Sequence, residues 1–360
     1  MTKLIPGILL SSLLAFTGIF LSDFIGIEIL NFEKSPISSI MLSIILGICV
    51  ANTISFGSSF SSGIDFCCKY ILRFGIIFLG IRIGLSDIFD IGLTGLPVVV
   101  LCISLTLIIV HMMSKLLNVS AKLSTLIAVG TSICGATAIV ATGPVINAKK
   151  EEITYAVANI TIFGIFAMLV YPILAHYIFN ANSQSVGLFL GTSIHETAQV
   201  AGAGLIYSQQ YNSPGALDIA TVTKLVRNLS MIIVIPLMGY LFLQSSSDNG
   251  IKNKPSFFKL FPLFIIGFIF FGILRTLGDY GIAHHEKAFF YFEEDKWIIV
   301  INFIKSMAEI LLGIAMSAVG LSTKFSSLRD LGIKPFYVGF IAATSVGAIS
   351  FVGINLVNLI

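Results

Sequence analysis

What most limits the folding of this chain is a recurrence of stretches of about 20 apolar residues, the length a helix needs to cross a bilayer. They lie near 4–22, 36–56, 66–86, 92–116, 153–178, 216–243, 258–277, 297–321 and 334–359. Two more, about 122–146 and 184–208, are apolar but interrupted by similar polar motifs. Hydrophobic residues make up 56% of the chain and charged residues 11%, less than half the roughly 25% of soluble domains. A soluble fold must leave part of its surface in water and cannot hide so much apolar area. The expectation is an all-α polytopic membrane protein, one domain over 1–360, with about 9–11 transmembrane segments. Two of these are expected as broken or re-entrant helices, in the inverted-repeat arrangement of secondary transporters.

The net charge of +3 is small and spread through loops, so nucleic acid is not an expected partner; the lipid bilayer is. Cys49, Cys67, Cys68, Cys102 and Cys134 fall in apolar runs without metal or haem spacing. His284 and His285 in HHEK lie in a loop with no further ligand cluster in sight. No cofactor and no metal are expected. The first run follows Lys3 directly and lacks a convincing A-x-A site, which reads as a retained first helix. QSSSDNGIKNKPS (244–256) is a polar loop, and GDYGIAHHEKAFFYFEEDK (278–296) a longer one with the composition of an interfacial helix.

Topology follows from the cations. With Lys3 cytoplasmic, Lys115, Lys122, Lys252, Lys254, Lys259, Lys324, Arg329 and Lys334 fall on that same side. NAKKEE (147–152) discriminates between two arrangements. If 122–146 crosses fully, Lys149 and Lys150 end outside, against the rule. If it is a hairpin turning at GTSICG, they stay inside, and the second motif dips in from the opposite face. The hairpin is the expectation.

The motifs are GTSICGATAI (130–139) and GTSIHETAQV (191–200). Each is followed by a span ending at a proline, Pro172 and Pro236. A second, looser pair is LGIRIGLS (79–86) and LGIAMSAVGLS (312–322). Glycine-interrupted segments at corresponding positions point to a transporter's binding site. Glycines at 130, 135 and 191 permit a chain break. Thr131, Ser132, Thr192 and Ser193 are then expected at the N-cap of a following half-helix, whose dipole end and free N–H groups favour an anion. Cys134 stands where the second motif has His195, and Gln199 completes the polar set. His195 and Glu196 are ionisable at membrane depth, which fits proton coupling. HETAQ has Gln199 where a zincin has its second histidine, so a zinc protease is not expected. Lys224, Arg227 and Asn228 in TVTKLVRNLS (221–230) either snorkel to the interface or supply charge to Glu196 or to an anion. Lys305 and Glu309, at i,i+4 spacing, are expected to pair on one helix face.

ILRFGIIFLGIRIGL, GTSICGATAIVATGPVI, GTSIHETAQVAGAG, TVTKLVRN followed by VIP, and IAMSAVGLST span about residues 66–325. On these pieces the chain resembles the YeiH family, bacterial inner-membrane proteins described as sulfate exporters. The resemblance implies ten or eleven membrane segments, a multi-pass inner-membrane location, and a fold related to the cation/proton antiporters and bile-acid symporters. Thr197 stands where that family usually has a hydrophobic residue. Together, residues and resemblance lead to a secondary active transporter exporting a small anion, sulfate or an organosulfonate, with proton coupling. Thr131, Ser132, Cys134, Thr192, Ser193, Gln199, Lys224, Arg227 and Asn228 would bind substrate, and His195 and Glu196 would carry the proton. The alternatives are an anion channel and an intramembrane hydrolase using Cys134 or Ser193 with His195; the expectation is a non-enzyme. A homodimer is compatible with such a chain.

Overall fold

A computed structural model describes residues 4–29, 35, 38–54, 57–245, 263–323 and 333–357. Most of the 244–256 loop, the start of the 258–277 run, and Lys3, Lys252, Lys254, Lys259, Lys324 and Arg329 lie outside the described residues. The chain is an all-α polytopic membrane protein. Among the described residues, seven helical stretches are long and apolar enough to cross a bilayer: Ile5–Ile29, Leu85–Leu116, Glu151–Ile178, Pro214–Phe242, Phe264–His285, Glu294–Leu321 and Lys334–Val357. The remaining segments of the sequence reading are shorter or interrupted pieces.

In chain order the helices are α1 (Ile5–Asp23), α2 (Ser39–Thr53), α3 (Ser58–Phe66), α4 (Leu72–Leu79), α5 (Leu85–Leu116), α6 (Ala121–Ser132), α7 (Ala136–Thr142) and α8 (Lys150–Ile178). They continue as α9 (Ser183–Ser193), α10 (Thr197–Tyr211), α11 (Pro214–Leu229), α12 (Met231–Ser245), α13 (Phe264–His285), α14 (Glu294–Leu321) and α15 (Ile333–Val357). A π-helical turn at Cys67–Ile71 joins α3 to α4, and a 3₁₀ turn at Gly80–Arg82 ends α4. The helix therefore begins well before the apolar run at 66–86, because its first turns carry serines and Asp65 rather than hydrophobes.

The 278–296 stretch departs from its expected loop and interfacial helix. α13 continues to His285, and a short antiparallel hairpin follows, β1 (Lys287–Ala288) with β2 (Phe292–Glu293). Its turn holds Phe289 and Phe290 at φ of 53° and 62°. The turn closes through the Tyr291 N–H to the Ala288 carbonyl at 3.1 Å.

The chain forms two compact units. One comprises 1–91, 204–218 and 263–324. Its core joins Leu14, Ala15, Ile64, Cys67, Ile314, Ala318 and Leu321, with a second cluster around Ile81, Trp297 and Ile301. α2 and α14 cross at Gly47 and Gly320, where a Cβ on either would strike the other helix's backbone. Small residues at such crossings let membrane helices approach closely. Here Arg82 donates from Nε to Asp218 at 2.6 Å and lies 3.5 Å from Glu309. Glu309 thus faces Arg82 across the helices instead of pairing with Lys305, because the break at Gly80–Arg82 turns the guanidinium inward.

The other unit comprises 92–203, 219–262 and 325–360. Its described residues include an apolar cluster around Val99, Ile133, Ala138 and Ile235 and another around Leu126, Ile139, Ile160 and Val338. Both Gly-Thr-Ser motifs lie in this unit.

Candidate functional site: two helix breaks joined by Lys224 and Arg227

Both motifs break their helices. α6 stops at Ser132 and α7 starts at Ala136; α9 stops at Ser193 and α10 starts at Thr197. Gly135 stands at φ +68° and N-caps α7.

The first broken segment is a hairpin. At its entrance Lys122 donates from Nζ to the Asn147 carbonyl at 2.7 Å, and Ser120 donates from Oγ to Glu152 at 3.1 Å. Residues before α6 and after α7 therefore sit together, so the chain leaves where it entered. α6 has 12 residues, about 18 Å at 1.5 Å per residue, roughly half the hydrocarbon thickness. α8, with 29 residues, is about 43 Å long and carries the chain to the far side, where α9 begins. The two broken segments enter from opposite ends and meet at their breaks.

The hydroxyls are placed differently from the sequence expectation. Thr131, Ser132, Thr192 and Ser193 form the last turns of α6 and α9 and do not N-cap α7 and α10. Thr192 donates to the Leu188 carbonyl at 2.6 Å, Ser193 to Phe189 at 2.5 Å and Ser132 to Val129 at 3.4 Å. Serine and threonine inside a helix commonly bond back to the preceding turn; the Thr192 hydroxyl also lies 2.6 Å from that of Ser350. In the first motif the chain breaks after the Gly-Thr-Ser because Gly135 supplies the left-handed residue; in the second it turns away through Ile194 in extended backbone.

What a helix C-terminus lacks is donors for its last carbonyls, and Lys224 and Arg227 of α11 supply them. Lys224 donates from Nζ to the carbonyls of Ile133 (2.9 Å), Ile194 (2.9 Å) and His195 (2.5 Å). Arg227 donates from Nε to Ser132 (2.8 Å), from Nη1 to Thr192 (2.5 Å) and Ile194 (3.1 Å), and from Nη2 to Thr131. Both side chains are 0% exposed, so neither snorkels to the interface. Two cations thus tie both breaks together at the negative ends of two helix dipoles.

Glu196 precedes α10, and its carbonyl accepts from the Val200 N–H at 3.0 Å, which places it at the N-cap. Gln199 reaches back from N3 and accepts from the Glu196 N–H at 3.2 Å, half of a capping box. The Gln199 amide also donates to the Thr161 carbonyl on α8 at 3.2 Å. Gln199 is therefore held by backbone at both ends. The Glu196 carboxylate accepts from Thr161 Oγ1 at 3.2 Å and lies against Gly135, where any Cβ would overlap it. Asn228 donates from Nδ2 to Thr197 Oγ1 at 3.0 Å. Cys134 directs its thiol to the Met231 sulfur at 3.1 Å.

Two buried polar atoms at the crossing have no hydrogen-bond partner, His195 Nδ1 and Asn228 Oδ1. Buried polar atoms without partners are uncommon and call for an explanation. The accessible part of the crossing is the start of the second half-helices: Thr137 is exposed, and Ala136, Glu196 and Thr197 are partly exposed, while residues 131–135 and 191–195 are buried. Sequence reasoning named the cations and the second motif's polar residues. It missed Thr161, an ordinary threonine within an apolar run, and Thr137.

Residues 6–339 match the family model described as conserved hypothetical protein 698. A UPF0324 membrane protein of Fusobacterium nucleatum is 33% identical over 363 residues, covering 98% of this chain and 100% of that one. The chain belongs to the UPF0324 family of membrane proteins. The YeiH family, which its motifs resemble, corresponds to this family. A UPF0324 relative in Streptococcus agalactiae is 31% identical over 336 residues, covering 93% of this chain and 92% of the relative. One in Yersinia pestis is 32% identical over 350 residues, with 95% and 89% coverage. No solved structure matches this UPF0324 chain.

Proposed function

We propose that this protein is a secondary active transporter that exports a small oxyanion, sulfate or an organosulfonate, with proton coupling at His195 and Glu196. The observation that carries the reading is the pair of carbonyl-bonded cations where two helix breaks meet. Broken segments entering from opposite sides are the transporter arrangement in which substrate binds near the midplane. Charge buried at such depth is costly and marks a pathway more often than packing.

The cations act on substrate through their field. Lys224 has all three of its donors on carbonyls, so little of its hydrogen-bonding capacity is left for a ligand. Their charge nevertheless acts across a low-dielectric interior, where it is weakly screened. Direct contacts fall to the accessible and unsatisfied groups: His195 Nδ1, the Asn228 side chain, Thr197 and the free N–H groups at the start of α10. Thr131, Ser132 and Thr192 present carbonyls that hold Arg227, and Ser193 closes the last turn of α9. Cys134 packs beside them, and Gln199 fixes the start of α10.

The hydrolase reading has no support in this geometry. The Cys134 thiol faces Met231 and the Ser193 hydroxyl faces a backbone carbonyl, whereas a nucleophile should bond its base.

A thermal-unfolding panel of purified protein with sulfate, methanesulfonate, phosphate and chloride tests the reading. Sulfate or methanesulfonate should raise the midpoint, and His195→Ala and Asn228→Ala should shrink the rise. A midpoint indifferent to every anion sinks the proposal.

A further inference from the structure

Three carbonyl acceptors around the Lys224 nitrogen are the complement of an ammonium, which has three N–H donors. Arg227 is charged in any protein environment. The crossing therefore holds two fixed positive charges. Neither forms an ion pair among the described residues; the ion pairs there belong to Arg82, Arg275 and Lys296.

Glu196 is the carboxylate of this crossing. Lys224 of α11 and Cys134 of the other break interact with its carboxylate, to which the uncharged Thr161 of α8 and the Ala136 N–H donate; Arg227 and His195 share the same crossing. It sits at the N-cap of α10 and against Gly135, on the accessible side where an anion would arrive. Beside it, His195 Nδ1 and Asn228 Oδ1 are unpartnered, in residues only 1% and 2% exposed. Unsatisfied polar atoms in the same place are an independent sign that a ligand belongs there.

Charge balance then distinguishes anions by valence. With Glu196 ionised, the empty crossing carries one net positive charge. A monovalent anion neutralises it. A divalent anion leaves one negative charge in a medium where unbalanced charge is costly, unless Glu196 takes up a proton. Protonation also turns the carboxyl from an acceptor into a donor, able to give its O–H to an anion oxygen.

We propose that Glu196 sets the proton stoichiometry by the valence of the anion: a divalent oxyanion is bound and carried with one proton on Glu196, a monovalent sulfonate with none. This rests on the anion-transport reading above. Sulfate carried this way moves as a unit of one net negative charge, which an inside-negative membrane potential drives outward.

Titration calorimetry on the full-length wild-type protein tests it, with sodium sulfate and sodium methanesulfonate in buffers of differing ionisation enthalpy. Sulfate should bind with uptake of one proton per site, and on the alkaline side its affinity should fall toward about tenfold per pH unit. Methanesulfonate should bind without proton uptake and with a flat pH profile. A Glu196→Gln variant should bind sulfate without proton uptake; if it fails to fold, the wild-type comparison of the two anions still decides. Sulfate binding without a proton, or methanesulfonate binding with the same uptake, overturns the proposal and leaves the anion reading standing. Binding of neither anion overturns both.

Discussion

Lys224 donates to the carbonyl of Ile133 at 2.9 Å, and by that bond α11 is tied to the break between α6 and α7. The same ammonium reaches Ile194 and His195 in the other break. Replacing it with methionine keeps the volume but takes this donor from the Ile133 and His195 carbonyls, while Ile194 keeps Arg227. Each orphaned buried group costs about 1–3 kcal/mol, so Lys224→Met should lower thermal stability by several degrees or prevent folding. An unchanged unfolding midpoint in detergent would mean that the breaks are held by something else.

Gly135 is the backbone counterpart of that staple. Its φ of +68° and its contact with Glu196 leave no room for a side chain. Gly135→Ala should destabilise by at least about 1–2 kcal/mol from the left-handed conformation, and should weaken anion binding because Glu196 must move. Gly215→Ala is the control: nothing lies within 4 Å of the added methyl. Equal midpoints for the two variants would refute the tight fit at Gly135.

The hairpin can be read by labelling. In a background without the native cysteines, Cys placed at Ala121 and at Lys149 should react with an impermeant thiol reagent from the same face. Cys placed at Gln184, in the first turn of α9, should react from the other. Labelling of 121 and 149 from opposite faces would make α6 and α7 a full crossing.

Arg82 bridges Asp218 at 2.6 Å and Glu309 at 3.5 Å. Removing Glu309, which is 45% exposed, leaves Arg82 its bond to Asp218, whereas removing Arg82 takes from Asp218, 18% exposed, its ion-pair partner. Arg82→Met should therefore be a more damaging change than Glu309→Gln, because water already solvates much of the Glu309 carboxylate. The reverse order in unfolding midpoints would contradict this ranking of the two contacts.

Much of the fold was legible because bilayer-spanning helices must be long and apolar, so α5, α8, α14 and α15 lie close to their hydropathy runs. Lys149 and Lys150 pointed to the hairpin through the charge rule, and the Lys122–Asn147 bond agrees with it. The hydroxyls were misplaced because Thr131 and Ser132 suit an N-cap or a last turn equally well; only the position of the left-handed Gly135 decides where the helix breaks. The partners of Lys224 and Arg227 were hidden because backbone carbonyls carry no sequence signal. The hairpin after His285 was missed for a related reason. Phe289 and Phe290 are poor turn formers by propensity, and packing around Trp297 overrides that preference.

Whether the crossing of the two breaks binds and moves an oxyanion can be measured by counterflow. Proteoliposomes loaded with unlabelled sulfate would be diluted into a trace of labelled sulfate. Label should accumulate transiently above equilibrium, and His195→Ala and Asn228→Ala should reduce the accumulation. Label that stays at the level of protein-free vesicles, with folded protein present and with sulfonates giving the same result, would contradict oxyanion transport at the crossing.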